Sequence, residues 1–210
     1  MSLTERAHEL IRQHFRDPGI SRELAVDATC GNGKDTEFLA RLDFRQVVGF
    51  EVQEDAIIQT RMRMDHLGFT NVGLILDGHE SLGRHIPGEI DCVMFNLGYL
   101  PGGDKNLTTN EVTTLVALKF ATDMLSETGI ISLICYPGHP QGLQETKAIQ
   151  RWLATLGAKW RIQMKKSSTS NEAAPILYAI TRRKSITPPV PTRTAPPVTE
   201  QSDPDSQTTT

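Results

Sequence analysis

The chain has 210 residues, of which 38% are hydrophobic and 22% charged, and its formal net charge is −3. This length fits one domain, or one domain with a tail. The mean hydropathy is −0.30 and the sequence lacks an apolar run of about 18 residues, so we predict no association with a membrane. The small negative charge excludes a protein that holds nucleic acid by bulk positive charge, but not one with a local basic patch.

The N-terminal segment and the cysteines indicate a cytoplasmic protein. Residues 1–15 carry scattered charges and lack the apolar stretch of a secretory signal. Cys30, Cys92 and Cys135 are far apart and have no CxxC spacing, which fits neither a disulfide framework nor a zinc site. We therefore predict reduced cysteines in the core and no bound metal.

Residues 184–210 differ in composition from the rest of the chain. They hold half of the 12 prolines, many threonines and serines, and no aromatic residue. Such a segment cannot bury enough apolar surface to offset the entropy lost on ordering it. We predict a folded domain over residues 1–183, followed by a disordered tail over 184–210.

Hydrophobic periodicity predicts helices that alternate with short apolar strands. In chain order, the predicted elements are a helix over 3–15, a strand over 24–27, a helix over 35–42, a strand over 47–50, a helix over 54–67, strands over 72–76 and 90–95, a helix over 112–125, a strand over 130–136, a helix over 144–156, and strands over 160–164 and 176–181. The alternation predicts the α/β class: a Rossmann-like three-layer α/β/α sandwich with a mostly parallel seven-stranded sheet. Only a polar loop separates the last two strands, which predicts an antiparallel C-terminal hairpin. This architecture resembles that of class I methyltransferases.

A glycine-rich turn, DATCGNGKDT over residues 27–36, follows the first strand. Doubly wound sheets bind ligands at the carboxyl ends of the strands, beside strand one. The turn lacks the third glycine of G-x-G-x-x-G and any Walker lysine pattern, which disfavours a pyrophosphate site. It resembles the first motif of S-adenosylmethionine (SAM) enzymes, with Thr29 in place of one glycine, and Asp27 would then lie near the methionine end. The candidate cofactor residues here are Asp27, Gly31, Asn32, Gly33, Asp35 and Thr36.

The next two strands also end in polar residues. Glu51 ends the second strand, where a carboxylate can accept hydrogen bonds from both ribose hydroxyls, a device that NAD and SAM proteins share. Asp77 follows the third strand and is placed to accept the exocyclic amine of an adenine. Gly78 and His79 would then border the adenine ring. The three strand ends together predict a site for a nucleoside-containing cofactor.

The fourth strand runs into the segment FNLGYLPGGDK, residues 95–105. Its N-L-G-Y run, from Asn96 to Tyr99, is laid out like the N-P-P-Y of many amine methyltransferases. An asparagine carbonyl oxygen can accept N–H bonds of an amine and direct its lone pair at a methyl group, and a tyrosine can stack on a base. An alkylamine is mostly protonated at pH 7 and must lose that proton before attack. Desolvation beside the cofactor would lower its pKa, and a base could help, for which Asp104 and His139 are the candidates.

Several motifs occur together in one order: DATCGNG with Asp35 and Thr36, DGHE over 77–80, NLGYLPGGDK over 96–105 and GHP over 138–140. Over about residues 3–183 they closely resemble the YtqB/MnmM family of class I SAM-dependent tRNA methyltransferases. The resemblance implies methylation of the amine of 5-aminomethyl-(2-thio)uridine at wobble position 34, in the tRNA anticodon loop. It implies cofactor contacts from Asn32, Glu51, Gln53, Asp77, Gly78 and His79, and an acceptor side formed by Asn96, Tyr99, Asp104 and His139. Glu51 departs from the family, in which many members have Asp.

Three alternatives remain open on the residues alone. The acceptor could be an rRNA base or a small amine. An NAD-linked oxidoreductase is disfavoured by the missing third glycine and by the absence of a Tyr-x-x-x-Lys pair, and a non-catalytic SAM-binding protein by the intact Asn96–Tyr99 run.

The terminal hairpin and the first helix carry basic residues that could contact RNA phosphates. A homodimer is a further possibility for building an RNA surface.

Overall fold

A computed structural model describes residues 1–99, 108–167 and 171–183. The helices are α1 (Leu3–His14), α2 (Lys34–Ala40), α3 (Glu54–His66), α4 (Leu82–His85), α5 (Glu111–Met124) and α6 (Pro140–Thr155). The strands are β1 (Leu24–Asp27), β2 (Gln46–Glu51), β3 (Val72–Leu76), β4 (Ile90–Asn96), β5 (Leu125–Cys135), β6 (Trp160–Lys166) and β7 (Ile176–Arg182). The predicted tail over 184–210 lies outside the described residues and stays a prediction.

The seven strands form one sheet in the order β3-β2-β1-β4-β5-β7-β6. β1 to β5 pair in parallel, whereas β7 pairs antiparallel with both β5 and β6. The predicted α/β fold with an antiparallel C-terminal hairpin is therefore confirmed. Among the described residues, no helix is both long and apolar enough to cross a membrane.

Two clusters of buried apolar side chains cover the two faces of the sheet. Strand residues alternate between the clusters, as the pleat requires: Val26 and Phe95 belong to one, Ala25 and Met94 to the other. Helices α5 and α6 pack on the first cluster, and α1 and α2 on the second. Because both faces are covered, the inner strands are apolar almost throughout. The three cysteines are unpaired and buried, as predicted.

The structure differs from the predicted elements in three places. β5 begins at Leu125, five residues early, because Leu125 pairs with Ile90 across a register irregularity in β4. α6 begins at Pro140, where a proline in the first turn loses no helical hydrogen bond. A 3₁₀ turn (His79–Ser81) and the short α4 follow β3 and were not predicted, since they are too short to show a hydrophobic period.

Asp91 holds together the sheet edge opposite the strand ends that carry the predicted site. It is buried near the start of β4. Its carboxylate accepts hydrogen bonds from the N–H groups of Glu23 and Leu24 at 2.8 and 3.2 Å, and from the hydroxyls of Ser21 and Ser126 at 3.1 and 2.8 Å. These contacts join the start of β1 to the start of β5.

We predict that Asp91→Ala lowers the free energy of unfolding by about 1–3 kcal/mol, because four donors lose their acceptor and one of them, the Ser126 hydroxyl, is buried. Asp123→Ala, on the exposed face of α5, is the control and should change it by less than about 0.5 kcal/mol. Urea unfolding followed by circular dichroism measures both. Equal effects of the two substitutions would contradict this role of Asp91.

Candidate active site

The carboxyl ends of β1 to β5 open onto one cavity of about 860 Å³, a size typical of small-ligand sites. Parallel strands bring their carboxyl ends to one edge of the sheet, so residues far apart in sequence meet here. The start of α1 and the loop before β7 complete the wall. Eleven predicted site residues line the cavity: Gly31, Asn32, Asp35, Glu51, Gln53, Asp77, Gly78, His79, Asn96, Tyr99 and His139.

Three predicted cofactor residues, Asp27, Gly33 and Thr36, are buried in or beneath the β1–α2 turn and are not among the residues that line the cavity. The fully buried Asp27 accepts hydrogen bonds from the Thr36 hydroxyl at 2.7 Å and from the Thr29 N–H at 3.2 Å. Its carboxylate faces inward and holds the turn, and the expectation that Asp27 lies near the methionine end of the cofactor stays a prediction. Asp104 lies outside the described residues.

Asp27 and Asp35 form a pair of neighbouring buried acids. Burial, together with the adjacent Asp35 carboxylate, raises the pKa of Asp27 to about 7. Both effects disfavour charge on Asp27, because a carboxylate away from water is poorly solvated and is repelled by a like charge. Asp35 lines the cavity, whereas Asp27 does not.

Glycines shape the turn that separates Asp27 from the cavity. Gly31 and Gly33 have φ values of 51° and 75°, the left-handed region that glycine adopts without steric cost. The Gly31 N–H donates to a Glu51 carboxylate oxygen at 2.8 Å, and the Thr60 hydroxyl donates to the Gly31 carbonyl at 2.9 Å. A β-carbon on Gly33 would lie 2.6 Å from the methyl carbon of Thr60. The turn therefore lies too close to α3 for any larger residue at this position.

Glu51 and Asp77 present carboxylates along the cavity. Glu51 accepts three backbone N–H groups, from Gly31, Val52 and Gln53, at 2.8–3.0 Å. A carboxylate has about four acceptor positions, so one remains for a ribose hydroxyl. Hydrogen bonds from His85 and from the Gly78 N–H lower the pKa of Asp77, which keeps it an anionic acceptor.

Asn96 is fixed at the end of β4 by neighbours on three sides. Its backbone N–H donates to the Thr29 hydroxyl at 2.7 Å. The side-chain NH₂ donates to Asp35 at 3.3 Å, and the side-chain carbonyl oxygen accepts from the Tyr136 hydroxyl at 2.9 Å. A carbonyl oxygen has two lone pairs. One therefore remains to accept an N–H group in the cavity.

α1 contributes to the site, which the sequence analysis did not predict. His8 Nε2 lies 2.6 Å from the second Asp35 oxygen, and its ring stacks on Phe38 with centroids 3.8 Å apart. Thr4, one turn earlier, lines the cavity beside Tyr136. Burial raises the pKa of Tyr136, so its hydroxyl remains a donor to Asn96. The i, i+4 spacing of Thr4 and His8 on one helix face was the available signal.

His139 caps α6, which determines its hydrogen-bonding role. Its Nδ1 accepts the Gly142 N–H at 3.1 Å, so the neutral ring carries its proton on Nε2. This Nε2 is buried and lacks a hydrogen-bond partner among the described residues. The ring centroid lies 6.0 Å from that of Tyr99. In this arrangement Nε2 is a donor, so the geometry does not support the predicted role of His139 as the base.

A buried glutamate, also missed by the sequence analysis, connects the two sides of the cavity. Glu145 on α6 accepts hydrogen bonds from the hydroxyls of Thr109 and Thr114, at 2.9 and 2.6 Å. The Thr109 hydroxyl accepts the Gly98 N–H at 2.9 Å, and the Thr114 hydroxyl lies 3.3 Å from His79 Nε2. The segment before Tyr99 is thus tied to the wall formed by His79. Nothing in the local sequence predicts this contact, because Glu145 lies on a helix face that reads as ordinary polar surface.

The polar groups of the cavity fit SAM. Asp35 offers a carboxylate to the ammonium group of the SAM amino-acid end, and Glu51 has a free acceptor position for a ribose hydroxyl. The Asp77 carboxylate can accept a hydrogen bond from the adenine amine. Burial lowers the pKa of His79, so a neutral ring borders the adenine end. In the described part of the chain, no group of three or more His, Cys, Asp or Glu side chains could hold a metal ion.

Comparisons with known proteins agree with this fold and with a SAM cofactor. The family model described as "Putative rRNA methylase" matches residues 47–181. A curated relative from Arabidopsis thaliana, named tRNA (mnm(5)s(2)U34)-methyltransferase, chloroplastic, is 33% identical over 86% of this chain and 69% of its own length. A "putative rRNA-methylase" structure from Clostridium thermocellum is 36% identical, with a TM-score of 0.75 over 83% of this chain and 97% of that one. A "putative methyltransferase" from Streptococcus mutans, solved with S-adenosylhomocysteine (SAH), is 31% identical, with a TM-score of 0.76 over 87% and 99%.

The fold and the cavity together define a class I SAM-dependent methyltransferase. More particularly, the chain belongs to the family described as "Putative rRNA methylase". Cytoplasmic placement stays a prediction, since the curated relative is named as chloroplastic.

We predict that Gly33→Ala destabilises the protein by about 3 kcal/mol, from backbone strain plus the clash with Thr60. Gly68→Ala is a matched control, because Gly68 has the same φ of 75° but open space around its β-carbon. Gly68→Ala should lower the free energy of unfolding by about 1 kcal/mol, from backbone strain alone. Urea unfolding and calorimetric titration with SAH test both, and SAH affinity should fall only in the Gly33 variant. Equal destabilisation would contradict the close approach.

We predict that Asp27→Asn removes a pH dependence of stability. The folded-state pKa of Asp27 is raised to about 7. The contribution of Asp27 to the free energy of unfolding is therefore fully present below the pKa that this group has in the unfolded chain, and it is lost as the pH rises from there through about 7. Between about pH 4 and 7, the wild type should lose up to roughly 1.4 kcal/mol per pH unit relative to the variant. Unfolding in urea at several pH values measures the difference. A difference that stays constant over this range would contradict the assignment.

Proposed function

We propose that this enzyme is a tRNA N-methyltransferase that converts 5-aminomethyl-(2-thio)uridine at wobble position 34 to its 5-methylaminomethyl product. The observation that carries the proposal is Asn96, whose carbonyl oxygen keeps one free acceptor position in the cavity. The name of the Arabidopsis relative, at 33% identity, supports the same nucleoside. The wobble base lies in a single-stranded loop, where an enzyme can take it out of its stack.

The cavity supports one orientation of the cofactor. Asp35 and Asn32 would hold the amino-acid end beside the turn, and Glu51 and Gln53 the ribose. The adenine would lie between Asp77, Gly78 and His79. When bound, SAM supplies an electrophilic methyl carbon next to a positive sulfonium. Its methionine end would then point towards Asn96, since Asp35 and Asn96 are hydrogen-bonded neighbours.

Asn96 would direct the substrate nitrogen. Its carbonyl oxygen accepts an N–H group of the amine, while Asp35 and Tyr136 prevent the amide from rotating. The nitrogen lone pair is then aligned with the methyl carbon, which lowers the entropic part of the barrier. The new N–C bond forms as the S–C bond breaks, and the nitrogen gives up a proton.

The other acceptor-side residues would hold the base. Tyr99 is 43% exposed at the cavity mouth and offers a ring on which a flipped uracil can stack. The ring of His139, whose centroid lies 6.0 Å from that of Tyr99, would border the base. Desolvation beside a cationic cofactor lowers the pKa of the incoming alkylammonium. Asp104 remains the predicted proton acceptor, outside the described residues.

The direct test is mass spectrometry of nucleosides after the enzyme is incubated with SAM and tRNA that carries 5-aminomethyl-2-thiouridine. A gain of one methyl group on that nucleoside is expected. Ribosomal RNA from the same strain is the comparison substrate, because the family description names rRNA. Methylation of rRNA and not of tRNA would contradict the proposal.

We predict that Asn96→Ala lowers kcat by about 10²-fold, because the amine loses its directing acceptor. Tyr136→Phe keeps Asn96 but removes one support of its amide, so a smaller loss of about tenfold is expected. Single-turnover kinetics measure both losses. SAH affinity, measured by calorimetry, should change less than about threefold in Tyr136→Phe. Full activity of Asn96→Ala would exclude Asn96 as the directing residue.

A further inference from the structure

Positive charge is concentrated in the C-terminal hairpin. Residues 159–183 hold six basic residues and one acidic residue, whereas residues 1–158 hold 14 basic and 21 acidic residues. A protein with a net charge of −3 therefore has one strongly basic segment. Local concentrations of one sign of charge attract ligands of the opposite sign.

The basic residues lie on the outer strand of the sheet. β6 is the terminal strand, and all of Arg161 to Lys166 are exposed. It contains Arg161, Lys165 and Lys166, and no acidic residue. We call these three residues the basic edge.

None of the three forms an ion pair with another residue that the structure describes. The neighbouring arginines, by contrast, have structural partners. Arg182 donates to the Leu125 carbonyl and lies over the Trp160 ring, and Arg183 donates to the Trp160 carbonyl. The charges of the basic edge are therefore available to a ligand, whereas those of Arg182 and Arg183 fasten the hairpin.

The strand register places one end of the basic edge beside the active site. Lys166 pairs with Ile176, which in turn pairs with Cys135 at the carboxyl end of β5. Ala173, in the loop between β6 and β7, lines the cavity. From there the edge runs back along β6 to Arg161, about 17 Å away at the rise of a strand. Arg161 borders a second groove, of about 910 Å³, between the hairpin and α1.

We propose that the basic edge binds the phosphate backbone of the RNA that carries the substrate nucleotide. The proposal rests on the proposed function and names the surface by which that substrate is held. A nucleotide flipped into the cavity leaves the adjoining stem outside, and the basic edge begins at the cavity rim. Lysine and arginine contacts to phosphate supply affinity without reading sequence. Acidic carboxylates line the cavity itself, so phosphates are held beside it and not within it.

The test compares two triple variants with the same change of charge. The first is Arg161→Gln, Lys165→Gln and Lys166→Gln. The matched control is Arg61→Gln, Lys147→Gln and Arg151→Gln, three exposed positions on α3 and α6 that do not line the cavity. Fluorescence anisotropy measures the Kd for full-length unmodified tRNA at several salt concentrations. Binding of unmodified tRNA requires no methyl transfer, so this readout remains valid if the proposed reaction fails.

The basic-edge variant should bind tRNA at least tenfold more weakly, and the slope of log K against log salt should fall by about one for each phosphate that the variant no longer neutralises. Its SAH affinity and its kcat at saturating tRNA should match the wild type, while KM for tRNA rises. The control should keep the wild-type Kd and slope. An unchanged Kd in the first variant, or an equal weakening in the control, would overturn the proposal. The proposal would also be overturned, in favour of a membrane-binding surface, if the basic-edge variant bound tRNA like the wild type but no longer bound phosphatidylserine vesicles that the wild type binds.

Discussion

Two buried carboxylates organise the site: Asp27 beneath the β1–α2 turn, and Asp35 on α2 in the cavity wall. Asp27 holds the turn through Thr29 and Thr36, and the Thr29 hydroxyl in turn accepts the backbone N–H of Asn96. Asp35 holds the Asn96 side chain from the other direction and is itself contacted by His8. The cofactor turn, the acceptor strand and the first helix therefore share one hydrogen-bond framework. A change to either carboxylate disturbs both halves of the site, because buried polar groups cannot replace their missing partners with water.

The charged residues form two regions with different roles, the acidic cavity and the basic edge. The cavity is lined by Asp35, Glu51 and Asp77, which suits two cations: the sulfonium of the cofactor and an alkylammonium. A polyanion would be repelled from such a cavity. The basic edge of β6 lies next to the rim, so an RNA backbone can be held outside while one nucleotide enters. A net negative enzyme can in this way bind a negative substrate.

Local patterns predicted the sheet, the glycine turn and the polar strand ends, because these features follow from periodicity, steric limits on φ and the geometry of parallel strands. These patterns could not predict that the Asp27 side chain points inward. A motif places an acidic residue at the end of a strand but does not determine the orientation of its side chain. Tyr136, Glu145 and His8 also escaped prediction. Tyr136 directly follows β5, and its contact with Asn96 depends on how β4 and β5 lie side by side. His8 and Glu145 reach the site only because helices α1 and α6 dock onto the sheet, and tertiary contacts of that kind leave little trace in the local sequence.

The central claim is that Asn96 and Asp35 form the junction at which cofactor and acceptor meet. A crystal structure of the enzyme with S-adenosylhomocysteine tests it most directly. The account predicts the adenine beside Asp77 and His79, the amino group on Asp35, and the sulfur directed to the space between Asn96 and Tyr99. A homocysteine sulfur directed away from Asn96, or a ligand bound outside the cavity, would contradict it.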